Sequence, residues 1–381
     1  MAADLAKSIA IIGGGFFGCA IATKLSAHGY ECTIYEKRDR ILGGTASRNV
    51  LRIHKGPHYP RSKETALQCL EGYNKFCNNF SECIETSFSN YYVISSEHSK
   101  TTFDNFVDFC SCLNIEHVVI PKTECQKFFT NCDGGIICEE GTINVFRMLA
   151  HYEKVLAENA CEVLTNKEII RIDRNGDRIV LKTNVENYEA DIVINCSFTE
   201  MNLGLGTLHH ASNELVYQKT VCFKCKTSDP VFGLTVLDGE SPTIFPSFWD
   251  EHSTELDSFM LYHVTHSVCR EQISVRYPEF EPITHKELQE RYDLTLSEIQ
   301  KFLPNIKEII GETEFLVADR IIRPHVKDTD TRISEIIKMA ENCYVIFQGK
   351  IDYSLNIADQ MLELLREPPF TPIKPSCQAP T

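Results

Sequence analysis

The chain of 381 residues has little positive charge: 38 lysines and arginines stand against 53 aspartates and glutamates, which gives a net charge of -15. General affinity for nucleic acid depends on basic surfaces that contact phosphates. The sequence contains no basic stripe with interleaved aromatic residues. We therefore expect a small-molecule substrate and no nucleic-acid partner.

Long apolar runs are also lacking. No segment approaches the ~18 apolar residues of a membrane-spanning helix. The apolar stretch near the N-terminus carries regularly spaced glycines and no small-residue cleavage site follows it. The sequence shows neither an internal repeat nor a low-complexity block. These absences predict a soluble, cytoplasmic protein without a membrane span, and the length suggests about two to three domains. The oligomeric state stays open.

Cysteine, by contrast, is abundant, but the 17 residues are an odd number, so they cannot all pair within the chain. They are scattered through core-like segments, as expected of free thiols in a reducing compartment. The one C-x-x-C, at Cys222 and Cys225, falls in a predicted strand, and so do His263 and His266. Residues three apart on a strand face opposite sides. We therefore predict no metal site.

The most informative stretch begins at Ser8. A short apolar run predicts a strand that is buried on both faces, and Gly13, Gly15 and Gly18 follow in G-x-G-x-x-G spacing before a predicted helix. A second predicted strand ends in Glu36. In this arrangement the glycines permit a tight turn, close approach of a pyrophosphate and close packing of helix on strand, while the acidic residue accepts hydrogen bonds from a ribose. The stretch predicts a dinucleotide site.

Two polar segments follow this motif. Lys37 begins a loop that continues to Gly44, Thr45 and Ala46, where small residues let the backbone come close to a cofactor. The stretch 48–61 then crowds polar and titratable side chains around a Gly-Pro pair. Such a cluster is either a solvated basic loop or the wall of a polar site. Its position directly after the dinucleotide motif favours the site.

Later segments predict a second lobe that is inserted into the cofactor lobe. Buried strands are predicted at 190–197 and 342–347, and between them successive strands with short turns predict an antiparallel sheet. The fold class is α/β, with a Rossmann-like cofactor-binding domain and an inserted antiparallel-sheet substrate domain. The predicted ranges are 1–80, 139–200 and 334–366 for the cofactor domain, 81–138 and 201–333 for the substrate or cap domain, and 367–381 for a flexible tail.

The order of these motifs resembles that of the FAD-dependent oxidoreductases of the D-amino-acid oxidase superfamily, which includes glycine oxidase and L-2-hydroxyglutarate dehydrogenase. The likeness rests on the opening fingerprint with Glu36, on the acidic-Gly-Thr-Ile-Asn sequence at 140–144 and on the strand at 190–197. It implies that the Rossmann-like domain binds FAD. The cofactor-binding residues implied in this way are Gly13, Gly14, Gly15, Phe16, Phe17, Gly18, Glu36, Lys37, Gly44, Thr45, Ala46, Ile170, Cys196, Ser197, Gly349, Lys350 and Ile351.

The resemblance also implies how an anionic substrate is held. Arg323, which precedes a proline, is similar to the arginine of an Arg-Pro pair that holds the substrate carboxylate in the amino-acid oxidases. A guanidinium suits a carboxylate because it can donate two parallel hydrogen bonds. The structural alternative is a salt bridge from Arg323 to Asp328 or Asp330. Arg52 is the second candidate anchor.

The polar stretch at 49–62 is similar in spacing to the L-2-hydroxyglutarate dehydrogenase branch, which implies that His54 lies near the flavin ring. An imidazole suits the removal of a hydroxyl proton at neutral pH, so His54 or His58 is the predicted proton acceptor. The predicted enzyme is an FAD-dependent oxidase or dehydrogenase that takes a hydride from a CH–NH or CH–OH carbon of a small amino acid, amine or hydroxy acid. Two alternatives stay open. Gly-Pro-His after the cofactor motif is similar to the UDP-galactopyranose mutases, which implies a flavin-dependent mutase of nucleotide sugars; the other alternative is a flavin-binding partner or sensor protein with little turnover.

Overall fold

The computed structural model describes residues 7–203, 214–324 and 329–366, and the predicted tail at 367–381 lies outside them. A six-stranded sheet carries the N-terminal motif. Its strands are, in spatial order, β20 (Glu335–Ala340), β21 (Cys343–Phe347), β13 (Ile192–Asn195), β1 (Ser8–Ile12), β2 (Glu31–Tyr35) and β9 (Glu162–Leu164). All neighbours are parallel except β20 and β21. The apolar run of β1 suits this central place, since inner parallel strands are buried on both faces.

Helices cover one face of this sheet, and a small antiparallel sheet covers the other. The helices that share its core are α1 (Phe16–Ser26), α5 (Val145–Glu158) and α8 (Ser354–Arg366). The strands that pack on the opposite face are β10 (Arg171–Asn175), β11 (Arg178–Lys182) and β12 (Asn187–Ala190). This layered arrangement confirms the predicted Rossmann-like α/β fold.

The second large sheet collects strands from two distant parts of the chain. Its main path is, in spatial order, β18 (Val268–Ser274), β14 (Leu215–Lys226), β17 (Ser258–His263), β16 (Pro242–Ser247), β15 (Gly233–Leu237), β5 (Asn90–Ser95), β7 (Cys132–Ile137) and β6 (Val118–Pro121), and β19 (Thr313–Ile322) pairs with β14. The pairs among β14 to β19 are antiparallel, as predicted, whereas β15 pairs in parallel with β5, a strand from an earlier part of the chain. They lie far apart in sequence, so no hairpin sets their relative direction.

Helices pack on both sides of the second sheet. Those on one side are α6 (His285–Gln300) and α7 (Ile306–Ile309), which share a core with β14 and β17. Those on the other side are α2 (Lys63–Asn79) and α3 (Phe103–Cys112), which share a core with β5 and β7. A further short helix, α4 (Lys122–Cys125), follows β6. The division of the chain into the predicted domain ranges stays a prediction.

A third, small sheet joins the polar stretch after the cofactor motif to the segment before α5. Its strands are β3 (Arg52–Ile53), β8 (Gly141–Ile143) and β4 (Ile84–Glu85). Arg52 pairs with Thr142 across β3 and β8. This register brings Arg52 next to Glu140, although 88 residues separate them in sequence.

The predicted separation of Cys222 and Cys225 agrees with their contacts, since the Cys222 thiol faces Asn49 and the Cys225 thiol faces Thr313. The prediction that His263 and His266 face opposite sides is wrong. Strand β17 ends at His263, the chain turns, and the two rings stack with centroids 4.3 Å apart.

Across the described ranges, no group of three or more potential metal ligands comes together, and the cysteines are free thiols. In the same ranges, no helix combines the length and apolarity that crossing a bilayer requires.

Candidate active site

The first cavity lies at the carboxyl end of the parallel sheet, where β1 gives way to α1, and its volume is about 210 Å³. Gly13 closes the turn: its N–H donates to the Tyr35 carbonyl at 2.8 Å, and its φ of +97° is a conformation that favours glycine. The ends of β1, β2 and β13 thus open a groove where doubly wound sheets bind their ligands.

The N-terminus of α1 is open to an anion. Gly15 is its N-cap and supplies no side-chain hydrogen bond, and a Cβ built on Gly15 would meet no atom within 4 Å. The free N–H groups and the dipole of a helix N-terminus attract negative charge. Gly18 serves packing instead, because its Cβ would lie 2.0 Å from the Gly13 carbonyl oxygen.

Glu36 follows β2 and presents its carboxylate to the same cavity. One carboxylate oxygen accepts the Gly14 N–H at 2.7 Å, and the other accepts the Arg38 N–H at 2.9 Å. These bonds fix the carboxylate while each oxygen keeps a second lone pair. The two ribose hydroxyls of an adenosine fit this arrangement.

Most of the predicted cofactor-binding residues lie on the wall of the first cavity. They are Gly13, Gly14, Gly15, Phe16, Phe17, Glu36, Lys37, Gly44, Thr45, Ala46, Cys196, Ser197, Gly349 and Ile351. Ile170 is not on the wall: its side chain is 43% exposed, and the neighbouring Ile169 lines the cavity. Neighbouring side chains of an extended segment point to opposite sides, so a shift of one residue decides which of them faces the cavity.

Gln348 and Asp319 are among the wall residues that the predicted set does not include. Gln348 donates from its amide to the Cys196 carbonyl at 2.7 Å and so ties the ends of β13 and β21 together. Because Gln348 directly precedes the predicted residue Gly349, its position in the sequence could have indicated that it lies at the cofactor site. Asp319 belongs to β19 of the second large sheet, and its carbonyl accepts a hydrogen bond from the Thr45 hydroxyl at 2.9 Å. No local pattern marks a contact that spans 274 residues.

A second, larger cavity of about 640 Å³ adjoins the first. Thr45, Asn49, Phe198, Gln348 and Gly349 line both cavities. A long ligand that starts at the glycine turn can therefore continue into the second cavity. FAD fits this pair: the uncapped helix and the carboxylate of the first cavity suit its pyrophosphate and adenosine ribose, and the second cavity has the size of a small-molecule site.

His54 and Lys350 face each other in the second cavity. The Lys350 Nζ lies 3.4 Å from His54 Nε2 and 4.5 Å from the centroid of the Tyr59 ring. The backbone N–H of His54 donates to Asp352 Oδ2 at 2.9 Å. Burial is the main cause that lowers the pKa of Lys350 to about 8 and raises the pKa of Asp352 to about 7.

Both predicted histidines, His54 and His58, line the second cavity, with ring centroids 5.0 Å apart. Burial lowers the pKa of each ring well below its ordinary value; the next cause is the positive charge of Lys350 for His54 and that of Arg52 for His58. Both imidazoles are therefore neutral at neutral pH. The role of either one as proton acceptor stays a prediction.

Arg52 lines the second cavity, yet its guanidinium is held by the protein. Its nitrogens donate to three buried groups, those of Glu140, Thr235 (2.6 Å) and Asn90 (3.2 Å). The guanidinium carbon also lies over two rings, 4.7 Å from the centroid of Tyr92 and 4.4 Å from that of Phe245. This geometry ties Arg52 to the core of the site, and its part in holding an anion stays a prediction.

Arg323, the other predicted anchor, lies at the cavity with a half-exposed side chain. It pairs with Glu335 and lies over the Phe347 ring at 4.6 Å. Of the two alternative partners that the sequence suggests, Asp328 is outside the described residues. Asp330 approaches a different arginine, Arg332. Anchoring by Arg323 stays a prediction.

Two arginines that the sequence prediction missed face the same cavity, Arg320 and Arg332. Arg320 donates to neutral groups, the Gln218 amide oxygen at 2.7 Å and the Tyr262 hydroxyl at 2.8 Å. Burial and the charge of Arg320 lower the pKa of Arg332 to about 10, and the carboxylate of Asp330 lies 3.5 Å away. The only sequence signal for Arg320 is its place three residues before the Arg-Pro pair.

Together, the parallel sheet, the glycine turn and the joined polar cavity define a dinucleotide-binding protein with a ligand site beside its cofactor site. The family model of the FAD-dependent oxidoreductases, DAO, matches residues 8–349, and the chain belongs to this family. The predicted resemblance and the predicted cofactor, FAD, are thereby confirmed. The members of this family are described as FAD-dependent oxidoreductases.

The individual proteins to which the chain is similar share few identical residues with it. The chain is 25% identical over 282 residues to the FAD-dependent monooxygenase kojA of Aspergillus flavus, a match that covers 68% of this chain and 62% of that protein. The chain thus spans about three fifths of that relative's length. Among solved structures, it is similar to glycine oxidase from Geobacillus kaustophilus (TM-score 0.72, 13% identity, 96% of this chain and 97% of the other). It is also similar to L-alpha-glycerophosphate oxidase from Mycoplasma pneumoniae (TM-score 0.73, 14% identity, 96% of each chain). These structures establish the fold alone.

Proposed function

We propose that this protein takes a hydride from a CH–NH or CH–OH carbon of a small anionic substrate that binds in the second cavity. The observation that carries the proposal is the direct junction of two cavities, one that fits FAD and one that gathers titratable and cationic side chains beside it. FAD, when bound, supplies the hydride acceptor. The residues of the chain orient the substrate carbon, exclude water and handle one proton.

The charge of the second cavity supports an anionic substrate. Seven lysine and arginine side chains line it, against four carboxylates, in a chain whose net charge is -15. A cationic wall in a partly enclosed cavity attracts anions. A substrate with a carboxylate or phosphate group therefore fits this cavity better than a cationic one.

Arg320 is the best candidate to hold that group. Arg61 pairs with Asp238 and Arg323 pairs with Glu335, whereas the hydrogen-bond partners of Arg320 are neutral. Among the described residues, no carboxylate forms an ion pair with Arg320. Its guanidinium can therefore donate charge-assisted hydrogen bonds to a ligand.

We predict that Arg320→Gln raises the half-saturating substrate concentration by about 10- to 100-fold, because a hydrogen bond to a charged group contributes ~1.5–3 kcal/mol. The measurement is the anaerobic titration of flavin bleaching against substrate. FAD content is expected to stay at the wild-type level. The matched control is Arg178→Gln, which removes a surface ion pair with Asp191 outside both cavities. Equal substrate affinities in wild type and Arg320→Gln would show that another group holds the anion.

The substrate class is tested by visible spectroscopy of the purified, FAD-loaded protein under anaerobic conditions. The panel contains amino acids, amines, hydroxy acids and phosphorylated alcohols. The last class belongs there because the structures that share this fold include proteins named as a glycine oxidase and an L-alpha-glycerophosphate oxidase. Bleaching of the flavin by one class, followed by recovery when oxygen is admitted, is the expected result. Recovery only with another acceptor would indicate a dehydrogenase.

The same panel separates the two alternatives. A nucleotide-sugar mutase would be bleached by dithionite but by no amino or hydroxy acid, and its reduced form would isomerise a UDP-sugar. A flavin-binding partner or sensor protein would bind FAD, resist bleaching by the whole panel and isomerise nothing. A preparation that holds no flavin after saturation with FAD would contradict all three readings.

A further inference from the structure

Lys350 lies beside the junction of the two cavities, directly after Gly349, which lines both. A hydrogen bond holds its backbone in place, since its N–H donates to the Ser334 hydroxyl at 3.1 Å. Its Nζ has the His54 ring nitrogen at 3.4 Å and the Tyr59 ring at 4.5 Å as neighbours. Among the described residues, no carboxylate forms an ion pair with this nitrogen.

Burial makes the neutral form of the Lys350 amine more accessible than that of an ordinary lysine. Burial is the main cause that lowers its pKa to about 8; Asp352 raises this pKa and Arg52 lowers it. An amine that is neutral at the working pH carries a lone pair that can take a proton. The other titratable groups around Lys350 and Asp352 in the described part of the chain are His54, His58, Tyr59, Glu140, Cys69 and Cys77.

The two histidines suit the task less well. A general base works best when its pKa lies near the operating pH. Burial and nearby positive charge lower the pKa values of His54 and His58 far below that range. His54 is better suited to orient the lysine, because its Nε2 is 3.4 Å from Nζ while its backbone is held by Asp352.

We propose that Lys350, rather than either histidine, accepts the proton of the substrate, and that Asp352 is a positioning residue that holds His54 and stabilises the ammonium ion once it forms. This proposal rests on the proposed function. The O–H or N–H bond of the substrate breaks and an N–H bond forms on Nζ. The electron pair of the broken bond would become the second bond of a C=O or C=N group as the hydride leaves the carbon, for which FAD, when bound, would supply the acceptor.

The first test measures the proton affinity of Lys350 without any substrate. The FAD-loaded protein is labelled with lysine that carries ¹³C at Cε, and the resonance that is missing in Lys350→Met identifies the residue. We expect this resonance to titrate near pH 8, whereas an unperturbed lysine titrates near pH ~10.4. A midpoint above pH 10 would overturn the proposal.

Asp352→Asn tests the positioning role with a change of known sign. An asparagine keeps an oxygen that can accept the His54 N–H but removes the negative charge that raises the pKa of Lys350. We therefore expect the Lys350 midpoint to fall below the wild-type value while FAD stays bound. A purely structural role for Asp352 would leave the midpoint unchanged, and that result would remove Asp352 from the proposal.

The second test uses the best reductant from the anaerobic panel. The rate of flavin bleaching in the wild type should rise with pH to a plateau with an apparent pKa of about 8, because only the neutral amine accepts a proton. Lys350→Met should lose this pH dependence and react at least about 100-fold more slowly, the usual contribution of a general base. Lys350→Arg, which keeps a positive charge but cannot act as a base at this pH, should be equally slow.

The two tests fail in distinguishable ways. If no compound bleaches the flavin, the proposed function fails while the titration of Lys350 still decides the proton affinity of its amine. If a compound bleaches wild type and Lys350→Met at the same rate with the same pH profile, the oxidation is real and Lys350 is not its base. His54→Asn is the companion variant in that case, since a histidine base would show its loss there.

Discussion

Gly15→Ala is expected to weaken FAD binding by about 10- to 100-fold while leaving the fold intact. A methyl group on Gly15 meets no protein atom within 4 Å, so the folded chain can accept it. The same methyl group points into the space where a pyrophosphate must approach the N-terminus of α1. The loss of one charge-assisted hydrogen bond, ~1.5–3 kcal/mol, sets the size of the effect. Flavin fluorescence quenching during FAD titration measures it.

Gly18→Ala is expected to act through the fold instead. Its Cβ would lie 2.0 Å from the Gly13 carbonyl oxygen. This oxygen belongs to the backbone, so no side-chain rotation can relieve the clash. Overpacking costs ~1–3 kcal/mol and sometimes more, and we expect a loss at the upper end of this range or beyond. Thermal unfolding with and without FAD distinguishes the two variants. Gly18→Ala should melt at a lower temperature in both conditions, and Gly15→Ala only in the presence of FAD.

The control for both variants is Gly311→Ala. The nearest atom to its added Cβ is the Lys226 carbonyl oxygen at 3.6 Å, an ordinary contact, and Gly311 lies on neither cavity wall. Neither its melting temperature nor its FAD affinity should differ from the wild type. If Gly15→Ala binds FAD as tightly as this control does, the pyrophosphate does not lie against the glycine turn.

The cofactor half of the site could be predicted from the sequence because its determinants are local. A buried strand, a turn that only glycine suits, a helix and an acidic residue follow one another within 30 residues, and each is recognisable by its own pattern. Strand β5, at Asn90–Ser95, likewise contains a run of aromatic and β-branched side chains, which is a local strand signal. Such elements are recognisable because their signals lie in residues that are neighbours in the sequence.

The substrate half could not be predicted in the same way because its contacts are long-range. Arg52 and Glu140 are 88 residues apart, and Arg320 and Gln218 are 102 residues apart. The sequence shows that Arg52 is a cation in a polar stretch, but it does not show which carboxylate lies opposite. A guanidinium with a buried partner and one without look identical in the sequence, yet only the latter is free to bind a ligand.

This difference leads to a prediction with a large effect on stability. Arg52→Met is expected to lower the free energy of unfolding by ~3–5 kcal/mol, the cost of leaving one member of a buried ion pair without its partner. Glu140 is fully buried, and its remaining donors, the Lys55 N–H, the Tyr92 hydroxyl and the Asn90 amide, carry no charge. The measurement is urea unfolding of the FAD-saturated protein. Arg178→Gln, which breaks an exposed pair with Asp191, should cost no more than ~1 kcal/mol.

The double variant Arg52→Met with Glu140→Gln removes both charges and should be more stable than Arg52→Met alone, because no unpaired buried charge remains. It also separates the two roles that Arg52 could have. A folded double variant with wild-type affinity for substrate would mean that Arg52 supports the wall of the cavity and that the anion is held elsewhere, as proposed for Arg320. A loss of affinity of tenfold or more in this folded variant would instead place Arg52 on the substrate. Unfolding measures the ion pair with Glu140, and titration measures the contact with substrate. Both measurements are needed because one guanidinium cannot direct all its hydrogen bonds to an internal carboxylate and to a ligand at the same time.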